Sequence, residues 1–230
     1  RSYVCLNHTY DLNHGQENFA ETKLETIRNR FNLMKILLFS DIHSDLKALA
    51  TLASTEADHY FAVGDLVNWA RGLDAVGEIL KPLAGKLSVI PGNHESEGDI
   101  DAFCRRYGFE NLHGRQTQWG QFHVAALGYS NPTPFDTPGE YTEEEIARRL
   151  EPFGGLSPLI LICHCPPVNT ALDQAGPGKH FGSRAIADFI EKNQPEYFFC
   201  GHIHEAAGVE VTLGKTRARN LGKKGFLLEV

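Results

Sequence analysis

Asp41, His43, Asp65, Asn93, His164, His202 and His204 are oxygen and imidazole donors, and each stands just after a short apolar run. Asp41-Ile42-His43 puts a carboxylate and an imidazole two residues apart, on one side of an extended segment. Gly64-Asp65 is the barest of the clusters. In Gly92-Asn93-His94-Glu95 the glycine permits a tight turn, and the asparagine oxygen can ligate without adding charge. His164 closes the run Leu159-Ile160-Leu161-Ile162-Cys163, and Gly201-His202-Ile203-His204 offers two imidazoles at i and i+2. Each piece alone is weak, and the ordered set is specific. Oxygen and imidazole donors without paired thiols suit manganese, iron or zinc better than calcium. The economical explanation is one site holding two transition-metal ions, divalent or trivalent, with His94 beside them.

The elements that must position these donors follow from the apolar pattern. Strands are expected at Ile36–Ser40, His59–Val63, Leu87–Ile90, His123–Leu127, Leu159–Cys163 and Tyr197–Cys200. Helical spacing lies between them at Asp45–Ser54, Gly72–Leu83, Asp99–Tyr107, Glu143–Leu150 and Ser183–Asn193. Strand–helix–strand alternation implies an α/β fold with parallel strands covered by helices. In such sheets ligands bind beyond the carboxyl ends of the strands, which is where every cluster falls. The tail from Ala206 to Val230, with turns at Gly214 and Gly222–Gly225, reads as antiparallel strands finishing a second sheet. Gly128–Tyr141 and Gly176–Gly182 read as long surface loops of the kind that carry binding functions. Residues 1–33 differ from the rest, and Met34, the sole methionine, opens the first strand. The domain is therefore expected to span 34–230. Residues 1–33 form an extension, either a non-native leader or a peripheral helix.

Taken in order, Asp41-x-His43, Gly64-Asp65, Gly92-Asn93-His94-Glu95, His164 and Gly201-His202-x-His204 resemble the calcineurin-like metallophosphoesterase superfamily. The resemblance runs from about Met34 to the C-terminus. It implies a four-layer α/β/β/α sandwich: two mixed sheets flanked by helices, with the metals at the sheet edge. It implies that Asp41, His43 and His204 hold one metal, that Asn93, His164 and His202 hold the other, and that Asp65 bridges them. It implies that His94 is catalytic rather than a ligand. The physical logic agrees. Two cations roughly 3.5–4 Å apart can share a hydroxide that is a nucleophile at neutral pH. They also neutralise charge during in-line attack on phosphorus. His94, next to Asn93, is placed to protonate the leaving oxygen; the blander role for it is to orient a ligand. Relatives of the serine/threonine phosphatases carry an aspartate three residues after the bridging aspartate, followed by Arg-Gly. That aspartate orients the catalytic histidine. Here Asn68 and Trp69 stand at those places. An amide supports an imidazolium less well, and a phosphate clamp is missing, since Arg71 is a poor substitute. These departures favour a phosphodiesterase or phosphatase acting on a small phosphorylated substrate, with diesters preferred, over a protein phosphatase.

Bulk properties narrow the field. The chain has 230 residues, 42% of them hydrophobic, and 22 basic against 29 acidic groups give a net charge of −7. An acidic balance argues against a nucleic-acid polymer as partner, and hence against a nuclease. A non-catalytic scaffold on the same fold would typically have lost ligand histidines, and all seven positions are filled here. No apolar run approaches the about 18 residues of a membrane span, and no secretory signal is visible. A cytoplasmic enzyme is the expectation. Cys163 and Cys165 flank His164 and should point away from it; buried, reduced thiols are a better account of them than a zinc site, for want of a second pair. His8, His14, His59, His113, His123 and His180 read as structural or solvent-exposed. Oligomeric state is not legible.

Overall fold

The computed structural model describes residues 33–230. The expected extension lies outside the described residues, apart from its last residue. The fold set out here is that of the unit Lys35–Leu228.

Leu159–Cys163 (β7) is buried at every position, the pattern of a strand covered on both faces. It sits inside a six-stranded sheet of order β5-β6-β7-β8-β10-β9. Its other strands are β5 (Arg115–Trp119), β6 (Phe122–Leu127), β8 (Tyr197–Cys200), β9 (Glu210–Leu213) and β10 (Thr216–Asn220). The pairs β6–β7, β7–β8 and β8–β10 are parallel, while β5–β6 and β9–β10 are antiparallel. The other sheet has the order β11-β1-β2-β3-β4. It is built from β1 (Lys35–Phe39), β2 (His59–Val63), β3 (Leu87–Ile90), β4 (Glu110–Asn111) and β11 (Phe226–Glu229). Its β1–β2, β2–β3 and β3–β4 pairs are parallel.

Alternation then sorts the side chains into layers. Leu37, Phe39, Tyr60, Ala62, Leu87 and Val89 pack outward beneath α1 (Leu46–Ser54), α2 (Leu73–Leu80) and α3 (Glu97–Tyr107). On the other sheet Leu127, Leu159, Leu161, Phe198 and Ala218 pack beneath α4 (Glu143–Leu150) and α5 (Arg184–Asn193). The intervening residues face the opposite sheet, as the 6.0 Å edge contact between Phe61 of β2 and Trp119 of β5 records. The result is the expected α/β/β/α sandwich, two mixed sheets flanked by helices.

Helix starts follow side-chain caps, which satisfy the otherwise orphaned first-turn amides. Asp45 caps α1 through the Ala48 amide at 3.1 Å. Ser96–Asp99 and Thr142–Glu145 form reciprocal capping boxes on α3 and α4. The Ser96 box starts α3 two residues before the expected Asp99. Pro82 turns the end of the expected second helix into a short 3-10 segment, Lys81–Leu83.

Three expectations need correction. The tail strand β11 joins the first sheet beside β1, not the second. Strands β4 and β5 lie outside the expected set. Gly128–Tyr141 is not wholly a surface loop: Ser130, Thr137 and Tyr141 are buried in it.

Candidate metal centre

The turns after β1, β2 and β8 share an uncommon backbone. Asp41, His43, Asp65 and His202 have φ of 55°, 45°, 52° and 69°, the left-handed region that costs a non-glycine residue on the order of 1 kcal/mol. Neighbouring turns hold them there. The Asp41 amide donates to Gly64 O at 3.1 Å and the His43 amide to Asp65 O at 2.9 Å. Close approach of the turns depends on Gly64, itself at φ 84°. A Cβ there would lie 2.5 Å from the Gly92 nitrogen and 2.6 Å from His164 Nδ1. Glu95, wholly buried, binds the β2 and β3 turns together. Its carboxylate accepts from the Asp65, Gly92 and Val67 amides at 3.1, 2.9 and 3.0 Å. Burial, with the Asp65 charge adding to it, pushes the Glu95 pKa up to about 8.

On this frame the seven expected donors come together. Asp41, His43 and His204 form one group whose donor atoms all lie within 4.8 Å of one another, and Asp65, His164 and His202 form another. Asn93 joins the second group, with Oδ1 3.3 Å from His164 Nε2 and 2.9 Å from His202 Nδ1. Asp65 stands between the groups, its Oδ2 3.6 Å from His43 Nε2 and 3.4 Å from His164 Nε2. Asp41, Asp65, Asn93 and His164 are buried, whereas His204 is exposed.

Proton placement shows what this cluster is suited to hold. His43 Nδ1 donates to Asn68 Oδ1 at 2.8 Å, so the lone pair of neutral His43 sits on Nε2. His164 Nδ1 donates to Val63 O at 2.8 Å, leaving Nε2 as its exchangeable position. Both Nε2 atoms therefore converge on the same carboxylate oxygen of Asp65, and His43 Nε2 also lies 2.9 Å from His204 Nε2. The lone pairs of these nitrogens and of the carboxylate are aimed at a common centre, which a proton or a cation can share. Burial alone would lower the His164 pKa, yet the Asp65 carboxylate raises it to about 9. Burial would likewise raise Asp65, but the neighbouring His164 and His43 hold it well below the carboxylate range. The His202 pKa is pushed down to about 3 by burial and by His164. The donors thus fit cations by chemistry as well as by position.

His94 lies against the cluster and within donor reach of His43 and Asp65. Its amide donates to Asp65 Oδ1 at 3.0 Å, and its ring is edge-on to Trp69, with centroids 5.8 Å apart. Its Nδ1 is buried with no partner, and burial lowers its pKa despite the opposing Asp65 charge. Here the sequence expectation is corrected: Asn68 occupies the place of an aspartate that orients the catalytic histidine, but its side chain serves His43 instead. Beyond this, a cavity of about 560 Å³ opens past His43, His94 and His204 toward Asn68, Asp45 and Lys223.

The other residues singled out in the sequence lie outside the candidate metal groups where they are described. Cys163 and Cys165 pack with the outer core of the second sheet, are free and buried, and belong to no candidate metal group among the described residues. His180 is held by the buried Asp173 at 2.7 Å, His59 stacks on Trp119 and His113 is buried. His8 and His14 lie outside the described residues. Sequence reasoning gave Glu95 no role; its signal was its place as the last residue of Gly92-Asn93-His94-Glu95. Among the described residues no helix is long and apolar enough to cross a membrane.

Comparison with known proteins places this geometry. An uncharacterized protein of Methanocaldococcus jannaschii is 32% identical over 203 residues, covering 85% of this chain and 91% of its own length. A structure from Thermus thermophilus superposes with a TM-score of 0.66 at 18% identity, covering 86% of this chain and 98% of that one. A structure described as a dimetal phosphatase from Danio rerio superposes with a TM-score of 0.59 at 12% identity, covering 83% and 88%. The profile of the calcineurin-like phosphoesterases matches residues 34–206. With its donor-bearing turns inside that span or just short of its end, the chain belongs to the calcineurin-like phosphoesterase family.

Proposed function

We propose that this protein is a dinuclear-metal phosphohydrolase that cleaves a small phosphorylated substrate, with phosphodiesters preferred. Asp41, His43 and His204 would hold one cation, Asn93, His164 and His202 the other, and Asp65 would serve both. The observation that carries the reading is the convergence of His43 Nε2 and His164 Nε2 on Asp65 Oδ2 at 3.6 and 3.4 Å. Two bound cations lower the proton affinity of water and neutralise phosphoryl charge. The Danio rerio structure described as a dimetal phosphatase is consistent with that.

The chain's own residues do the rest. Asn68 fixes the tautomer of His43 and the Val63 carbonyl fixes that of His164, so each presents Nε2 without a search for the right proton arrangement. Asp65 holds negative charge between the two sets. His94 donates a proton to the leaving oxygen. A carboxylate against its Nδ1 would stabilise the imidazolium and weaken it as an acid. With no such partner, the protonated ring is a readier donor. Preference for diesters rests on the missing Arg-Gly beside Asn68, which removes a clamp for a dianionic monoester.

The deciding experiment is a hydrolysis panel with Mn²⁺. It compares bis-p-nitrophenyl phosphate, p-nitrophenyl phosphate, cyclic nucleotides and dinucleoside polyphosphates. Turnover of the diesters is expected to exceed that of the monoester, to vanish after chelation and to return with Mn²⁺. Full activity in exhaustively chelated protein would overturn the mechanism.

A further inference from the structure

Asn93 is the one carboxamide among the seven donors, and its side chain has two unlike ends: the carbonyl accepts and the amide donates. Turned the wrong way, it would aim N–H groups at a cation. Two residues of the Gly128–Tyr141 loop decide the orientation. Asn93 Nδ2 donates to Thr137 Oγ1 at 3.1 Å. Thr137 Oγ1 lies 2.5 Å from Glu140 Oε1. An ionised carboxylate only accepts, so the Thr137 hydroxyl must spend its single proton on Glu140. What it turns to Asn93 is then a lone pair, which only an N–H can satisfy. The charge on Glu140 thus dictates the hydroxyl, and the hydroxyl dictates the amide.

The surroundings keep this chain of bonds in place. Glu140 Oε1 also accepts from Thr133 Oγ1 at 2.6 Å and from the Thr137 amide at 2.9 Å. Burial would raise the Glu140 pKa, but these hydrogen bonds hold it below the ordinary value. The Gly139 amide donates to Asn93 O at 3.0 Å, so the same loop grips the backbone as well as the side chain. Asn93 and Thr137 are only 4% and 7% exposed, which leaves water little chance to substitute for either partner.

We propose that Thr137 and Glu140 are positioning residues that lock the Asn93 carboxamide with Oδ1 turned toward the second cation. The inference rests on the reading of Asn93 as a ligand. Its test is calorimetric titration of chelated protein with Mn²⁺, comparing wild type, Asn93→Ala, Thr137→Val, Thr137→Ser and Glu140→Ala. Wild type is expected to take up two equivalents. Thr137→Val and Glu140→Ala should weaken one of them about 10- to 100-fold, as loss of a ligand's supporting bond does. Asn93→Ala should weaken the same equivalent at least as far. The other equivalent keeps its affinity in every variant, and Thr137→Ser, which restores the hydroxyl, recovers the lost one. A general structural defect would lower both together and would not be rescued by serine. Wild-type affinity for both equivalents in Thr137→Val overturns the proposal, and wild-type affinity in Glu140→Ala alone removes Glu140 from it. Failure of the wild type to bind two equivalents, or an unchanged Asn93→Ala, refutes the ligand assignment beneath it instead.

Discussion

His94 carries a buried Nδ1 without a partner while Asn68, three residues beyond Asp65, is engaged with His43. One side chain near the cluster thus serves a donor, and the other is left free to exchange its proton. Replacing His94 with alanine is expected to lower kcat about 10²- to 10⁴-fold with metal content unchanged by elemental analysis. Loss of metal in that variant would make His94 a ligand. A second residue-scale consequence lies in the backbone. Ala70, at φ 54°, donates its amide to His94 O at 2.9 Å, a bond that glycine would keep. Ala70→Gly relieves the left-handed strain and should stabilise the protein by up to about 1 kcal/mol, read from urea unfolding. A lowered unfolding midpoint would show that the strain is absent.

At the scale of elements, His113 links the turn between β4 and β5 to the exit of β6. Its Nδ1 accepts from the Gly128 amide at 2.9 Å, and Nε2 donates to the Tyr141 hydroxyl at 3.0 Å. This pattern requires a neutral ring, and burial, with Arg149 adding to it, lowers the pKa from 6.5 to about 4. The unfolded chain therefore takes up this proton first. The stabilisation is complete above the ordinary value and is lost as pH falls through the interval down to the folded-state value, a loss on the order of 3 kcal/mol. Urea midpoints measured across that interval should fall less steeply for His113→Gln than for wild type; parallel profiles would contradict the assignment. Strands were legible wherever burial is two-sided. β2, β3, β7 and β8 occupy the residues that their apolar runs indicate, because a strand covered on both faces must be largely apolar, and the buried Ser88 of β3 is satisfied by Glu110. β5, Arg-Gln-Thr-Gln-Trp at a sheet edge, is mostly exposed and carries no such signal. β11 was misplaced because the apolar pattern of a strand does not say which sheet it joins. That these seven side chains gather at one place was legible from their types and order. Glu95, Thr137 and Glu140 were not, since a residue that works by orienting another is known only through contacts the chain makes across long loops.

For the whole molecule, the cluster is a sink for positive charge within a chain of net charge −7. A cation bound only by the folded form stabilises it by RT ln(1 + [L]/Kd), about 2.7 kcal/mol at a hundredfold excess over Kd. Tm should therefore climb steadily with Mn²⁺ concentration, as followed by calorimetry or fluorescence, and should not respond in a variant lacking both Asp65 and His164. A wild-type Tm indifferent to Mn²⁺ would deny the cluster its ions. His43 and His204 meet although 161 positions separate them, with one supplied from each sheet. Neither sheet supplies both histidines, so a chain that stops before His204 should be unable to gather the set and should show no metal-dependent hydrolysis on the proposed reading. Hydrolysis would then report that both sheets have been assembled around the site.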